Sequence, residues 1–187
     1  MCDYSKLVAV TNRTLCAGDY WAQLGKVAAL HPRCLILREK DLSPEEYAQY
    51  AAKVLEICEK EGVPCFLHSH VDIARGLGCR RLHLSVPGLR AVRAGLEGFE
   101  EVSVSCHSLA DVQEAAAAGA TQVLLGNIFE TDCKKGLPGK GLDFLREICA
   151  ESPVPVYAIG GISPENLGEV LEAGAAGGCM MSGFMRL

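Results

Sequence analysis

Three kinds of residue in this sequence could do chemistry, and each stands just behind a short apolar run. The first are small. Gly160-Gly161 follows Val156–Ile159, and Ser182-Gly183 follows Gly178–Met181. Glycine lets backbone N–H groups approach an anion closely, and a helix start behind it adds its dipole. The four residues read as a phosphate cradle; the plainer reading is two tight turns. The second are cationic. Arg38, Lys40, Lys134 and Lys135 would make a pocket mouth positive although the chain carries a formal net charge of −5. The plainer reading of any one lysine is a solvated surface charge. The third are histidines. His107 follows a run directly and precedes Ser108, a helix-capping residue type. An imidazole titrating near neutrality can shuttle a proton, which makes His107 and His68 candidate general bases. The plainer reading of His107 is a helix-start histidine bonded to backbone. His68 and His70 alternate, so at most one faces a pocket if the strand continues through both. His83 reads as a satisfied packing residue. A zinc site from His68, His70 and His83 would need separate strands to converge, with no carboxylate to complete the set, so no metal site is assigned.

The elements that position these residues repeat along the chain. Eight apolar runs of four or five residues read as strands: Lys6–Val10, Cys34–Leu37, Pro64–Leu67, Arg81–Leu84, Val102–Ser105, Gln122–Leu125, Val156–Ile159 and Gly178–Met181. Runs without polar alternation suit strands buried on both faces of a parallel sheet. Helical patterns lie between them. Ser43-Pro44-Glu45-Glu46 is a capping box with proline at the first helical position. Ser163-Pro164-Glu165-Asn166 starts another helix in the same way. Ser108 with Asp111 opens a third, and Asp19 caps a first helix. Helix end, small-residue turn and strand recur at Arg75–Gly78, Ala117–Ala120 and Ala173–Ala176, as self-similar βα units would require. The fold class is α/β, a (β/α)8 TIM barrel, with a doubly wound open sheet as the alternative. The chain is read as one domain, 1–187. It is lean for a barrel that typically takes roughly 250 residues. After the eighth run only a few residues remain, so the last covering helix is expected to be missing, or its place taken by a neighbouring subunit in a homo-oligomer.

Composition narrows the function classes. The acidic balance, with no basic run longer than a pair, counts against a nucleic-acid partner. No stretch approaches the 18 or so uninterrupted apolar residues of a membrane span. The first residues lack a signal-peptide pattern, so a cytoplasmic location is expected. The ten cysteines show no CxxC pair and lie mostly in apolar runs, so they are expected to be reduced and buried.

In a parallel barrel the functional residues lie at strand C-terminal ends, which puts all the groups above on one rim. Val10-Thr11-Asn12-Arg13, Leu37-Arg38-Glu39-Lys40, Val71-Asp72-Ile73-Ala74, Leu82-His83-Leu84, the stretch from Gly126 to Gly136, and Ala158-Ile159-Gly160-Gly161-Ile162 resemble, in that order, the thiamin phosphate synthase/TenI family. The similarity spans nearly the whole chain. The stretches Phe129–Gly136 and Ala158–Ile162 look most like the TenI branch.

The resemblance implies a (β/α)8 barrel and a small anionic, thiazole phosphate-like ligand. Synthases of the family join an aminopyrimidine diphosphate to a thiazole phosphate, with Mg2+ on the diphosphate. The TenI-like tautomerases bind a thiazole phosphate carboxylate and move a proton. Arg38, Lys40, Ser105, Thr131 and Lys134 match synthase positions. The Asn-Asp expected after the third strand is His68-Ser69 here, however, and Ser85-Val86-Pro87 replaces the Gln and acidic residue expected after the fourth. Mg2+ favours hard oxygen ligands, usually carboxylates. The tautomerase pattern has its own gap, because its acid/base histidine is Asn127, and an amide cannot shuttle protons near neutrality. The reading favoured by sequence is a tautomerase using His107 or His68, with Asn127 orienting the ring and no cofactor. A synthase, which alone would bring in Mg2+, and a non-catalytic ligand-binding relative are the alternatives.

Overall fold

The computed structural model describes residues 3–92, 95–131 and 136–187. All eight expected strands form: β1 Leu7–Val10, β2 Cys34–Leu37, β3 Cys65–His68, β4 Arg81–Ser85, β5 Glu101–Cys106, β6 Gln122–Gly126, β7 Val156–Ile159 and β8 Gly177–Met180. Each runs parallel to the next, and β8 returns to β1 through Leu7↔Gly178, Val8↔Cys179 and Ala9↔Met180. That last ladder decides between the two sheet readings in favour of the closed barrel.

The strands read as unbroken apolar runs because both faces are covered. Val8, Ile36, Phe66, Leu124, Tyr157 and Cys179 fill the inside. Leu7, Leu35, Leu67, Leu82, Val104 and Leu125 alternate with them and pack outward under the helices. At the N-terminal end of the barrel Glu101 bridges Arg33 at 3.6 Å and Arg81 at 2.7 Å. The chemistry-bearing residues lie at the other end.

The helices are α1 Tyr20–Ala29, α2 Pro44–Lys60, α3 Val71–Gly76, α4 Val86–Val92, α5 Leu109–Ala117, α6 Gly141–Glu151, α7 Leu167–Glu172 and α8 Ser182–Met185. Asp19 Oδ1 accepts the Ala22 N–H at 2.6 Å, and Ser108 Oγ accepts that of Asp111 at 3.1 Å. The Ser43/Glu46 box closes in both directions, at 3.2 and 2.9 Å.

Two expectations about helices are corrected. Ser163 does not cap like Ser43. Asn166 Oδ1 accepts the Ser163 N–H at 2.9 Å while its Nδ2 donates to Gly161 O at 2.8 Å, so 164–166 form a turn and α7 starts at Leu167. The eighth helix is not missing but reduced to one turn. Phe184 and Met185 are buried in it, and Gln23 of α1 donates from Nε2 to Phe184 O at 2.7 Å. One large aromatic and an anchored carbonyl cover what a longer helix covers elsewhere.

Candidate anion site at the barrel mouth

Gly160 and Gly161 have φ of +99° and +65°, a region that favours glycine. Contact demands glycine there as well. A Cβ on Gly160 would lie 2.5 Å from Asn127 Cβ and 2.8 Å from its Cα. One on Gly161 would lie 2.6 Å from both Glu130 O and Phe129 Cβ. The segment after β6 is laid across the glycine pair. Ile128 N–H donates to Ile159 O at 2.9 Å and Phe129 N–H to Gly160 O at 3.0 Å. The tight-turn reading therefore accounts for the residue type by itself. What it does not account for is the donors. The carbonyls of 159–161 are taken, whereas no acceptor among the described residues takes the amides of Gly160, Gly161, Ser182 or Gly183. The Ile159↔Cys179 register sets Gly161 beside the residues that lead into Ser182.

On the other side of the mouth Thr11 Oγ1 accepts the Arg38 N–H at 3.0 Å. Arg38 is half-buried and Lys40 exposed, and neither has a carboxylate partner among the described residues. Glu39, between them, turns the opposite way. It is buried, its two oxygens accept the Arg13 N–H at 3.0 Å each, and Oε1 accepts the Tyr20 hydroxyl at 2.9 Å. Arg13 in turn pairs with Asp41 at 2.7 Å.

The His68 ring stands 5.6 Å from that of His83. Ser69 Oγ is 3.0 Å from His68 Nδ1. Burial, then the fields of Arg38 and Lys40, push His68 down to about 4, so it is neutral at physiological pH. His83 is a satisfied interior histidine, as its sequence position suggests. Ser103 Oγ lies 2.9 Å from its Nδ1 and Ser105 Oγ 2.9 Å from its Nε2. Burial pushes it down to about 3. Ser103 is the member of this network that sequence reasoning missed; a polar residue at an inward position of β5 was the available signal. His70 does not extend β3. It precedes α3 and stacks 4.1 Å from Tyr47.

His107 sits on the rim with its N–H on Asp111 Oδ2 at 2.8 Å and Nδ1 2.9 Å from Gly126 O. A carbonyl only accepts, so Nδ1 carries a hydrogen, and in the neutral ring Nε2 is then the nitrogen with the lone pair. The backbone-bonded reading holds, and it leaves Nε2 available. Lys140, which the sequence did not single out, donates from Nζ to His107 O. Asn127 is buried, and its Nδ2 lies 3.4 Å from both Phe129 O and Pro138 O, so its side chain braces its own loop. Thr131 borders the described residues. Lys134 and Lys135 lie outside them. The rim thus brings together Arg38, Lys40, His68 and Ser105 on one side and the two small-residue pairs on the other, with His107 on the strand end between Ser105 and β6.

The sequence profile of the family described as thiamine monophosphate synthase (TMP-TENI) matches residues 7–184. The chain belongs to this family. A putative thiamine-phosphate synthase of Geobacter sulfurreducens is 33% identical over 98% of the chain and 87% of its own length. The thiamine-phosphate synthase of Clostridium acetobutylicum is 28% identical over 98% and 88%. A probable thiamine biosynthetic bifunctional enzyme of rice is 37% identical, but the chain spans 26% of its length. Among solved structures, the thiamine phosphate pyrophosphorylase of Pyrococcus furiosus has a TM-score of 0.82 at 23% identity, covering 98% of this chain and 88% of that one, a likeness of fold. The two bacterial relatives carry thiamine-phosphate synthase names and none of the four proteins carries a tautomerase name, against the TenI leaning of the sequence motifs.

The Mg2+ that a synthase implies does not fit the described residues. Glu39 has both oxygens engaged. Ser69 stands where the resemblance expects a carboxylate. After β4, α4 begins at once, Val86 is buried, and Ser85 Oγ accepts the Gly88 N–H at 3.2 Å. No three His, Cys, Asp or Glu side chains among the described residues are placed to hold a metal ion.

Proposed function

We propose that the chain is a thiamine-biosynthetic transferase that joins a pyrimidine diphosphate to a thiazole phosphate. The thiazole phosphate rests on the amides of Gly160, Gly161, Ser182 and Gly183. Arg38, Lys40 and Ser105, with Lys134 and Thr131 from the segment after β6, hold the diphosphate. In the reaction the pyrimidine–diphosphate bond breaks, a bond to the thiazole forms, and diphosphate leaves toward the cations of the mouth. Preorganised donors aimed at developing charge act strongly in a partly dry site. The observation that carries this reading is the set of amides at the β7 and β8 ends that no acceptor among the described residues takes, on the same rim as Arg38, which has no carboxylate partner among the described residues. The synthase names of the relatives support the transferase over the isomerase. The test incubates the purified chain with both substrates and follows thiamine phosphate and diphosphate. Equal release of the two is expected. No product from a chain that binds thiazole phosphate would overturn the transferase reading.

One observation favours a second reading, thiazole tautomerisation. His107 Nε2 has no partner among the described residues, and neutral His68 is the other candidate. Turnover unchanged in both His107→Ala and His68→Ala removes it.

A further inference from the structure

The β2–β5 corner of the mouth carries cations, hydroxyls and neutral imidazoles where a metal-assisted diphosphate site would carry hard oxygen anions. Arg38 is half-buried with no carboxylate partner among the described residues, and Lys40 beside it has none. A guanidinium partly out of water and unpaired is costly, and its fork matches two phosphate oxygens. The field of these cations is felt locally, since both contribute to holding His68 in its neutral form. Two hydroxyls complete the corner: Ser69 Oγ on His68 and Ser105 Oγ on His83.

Three described carboxylates on the β2 and β3 side of the mouth are otherwise placed. Glu39 is closed off by Arg13 N–H and Tyr20. Asp41 is exposed on the Arg13 guanidinium. Asp72 is exposed on the first turn of α3. Ser69 adopts φ +68°, a left-handed conformation that aspartate tolerates better than most residues. The backbone here would accept a carboxylate, yet the side chain is a hydroxyl.

We propose that this corner holds the diphosphate of the proposed substrate directly, through Arg38, Lys40, Ser69 and Ser105, with no divalent cation. The inference deepens the transferase reading by stating how the leaving group is neutralised. Side-chain cations do the work that Mg2+ does when carboxylates are present.

The test is calorimetric titration of the intact protein with inorganic diphosphate, once in EDTA and once in excess Mg2+. Binding is expected in EDTA. Mg2+ should leave it within five-fold or weaken it, because the metal competes for diphosphate in solution. Arg38→Ala should weaken binding in EDTA at least ten-fold. Ser69→Asp should weaken it in EDTA and make it strengthen on adding Mg2+. No binding in EDTA, a five-fold or greater strengthening of the unmodified protein by Mg2+, or an Arg38→Ala variant that binds as well as its parent would overturn the proposal. Thiazole phosphate titrated in parallel reports the glycine corner. Loss of that binding counts against the proposed function, and loss of metal-free diphosphate binding counts against this inference.

Discussion

His68 and His83 place a pH dependence on the fold. Each is held well below the ordinary histidine range, chiefly by burial, to about 4 and about 3. Below roughly pH 6.5 the unfolded chain takes up protons that the folded chain refuses, so stability falls as pH drops toward 4. The loss is expected to be on the order of 3 kcal/mol from His68 alone across that window. Urea denaturation at pH 7.5 and pH 4.5 measures it, and an unchanged midpoint would mean these rings are not buried neutral. Gly160 gives a second prediction. Alanine there meets both a positive φ and Asn127 backbone at 2.8 Å. Gly160→Ala is expected to destabilise the fold by on the order of 3 kcal/mol, read by thermal unfolding. Gly62, also at positive φ but with open space around it, should tolerate alanine better. At this scale the sequence was partly legible. That Arg38, His107 and the small-residue pairs stand at strand ends was legible from their place after apolar runs. Glu39 kept its role hidden, because its partners Arg13 N–H and Tyr20 come from two other segments. The loop contacts of the Asn127 amide were not legible, because they depend on a backbone path that composition does not encode.

Elements were more legible than side-chain contacts. Strand boundaries agree within about a residue, since a strand covered on both faces has a continuous apolar signature that stops when it reaches solvent. Capping residues marked α1, α2 and α5 because a side-chain oxygen on an orphan N–H is local chemistry. The same logic failed at Ser163, where only the back-bond forms: Asn166 Oδ1 accepts the Ser163 N–H, and the helix starts later, at Leu167. The eighth helix was underestimated for another reason. Its one turn is stabilised by Phe184 against the α1 side of the barrel, a tertiary contact with no local pattern. Phe184→Ala is therefore expected to cost about 3–5 kcal/mol, as for a fully buried aromatic. A change under 1 kcal/mol in chemical denaturation would show that the C-terminal turn does not seal the barrel.

For the whole molecule, closure of eight strands fixes where function can lie. One end carries the ion pairs of Glu101 with Arg33 and Arg81, and the other gathers the cations, imidazoles and open amides. No described helix is long and apolar enough to cross a membrane. The eight described cysteines are free, and most are buried. Burial pushes the Cys34 and Cys106 thiols up to about 12. Cys34, Cys65, Cys106 and Cys179 are expected to resist a thiol reagent until denaturant is added, because the thiolate is the reactive form and burial disfavours it. Rapid labelling of these positions in the native state would contradict the packing. Fold and family were readable because periodicity and motif order are distributed over the chain. The reaction was not, because it turns on a few residues where motif and relatives disagree. The account stands most directly on the four amides of Gly160, Gly161, Ser182 and Gly183, and amide NMR during titration with thiazole phosphate tests them. Saturable downfield shifts concentrated on these N–H groups are expected; a bound ligand that leaves them unmoved would contradict it.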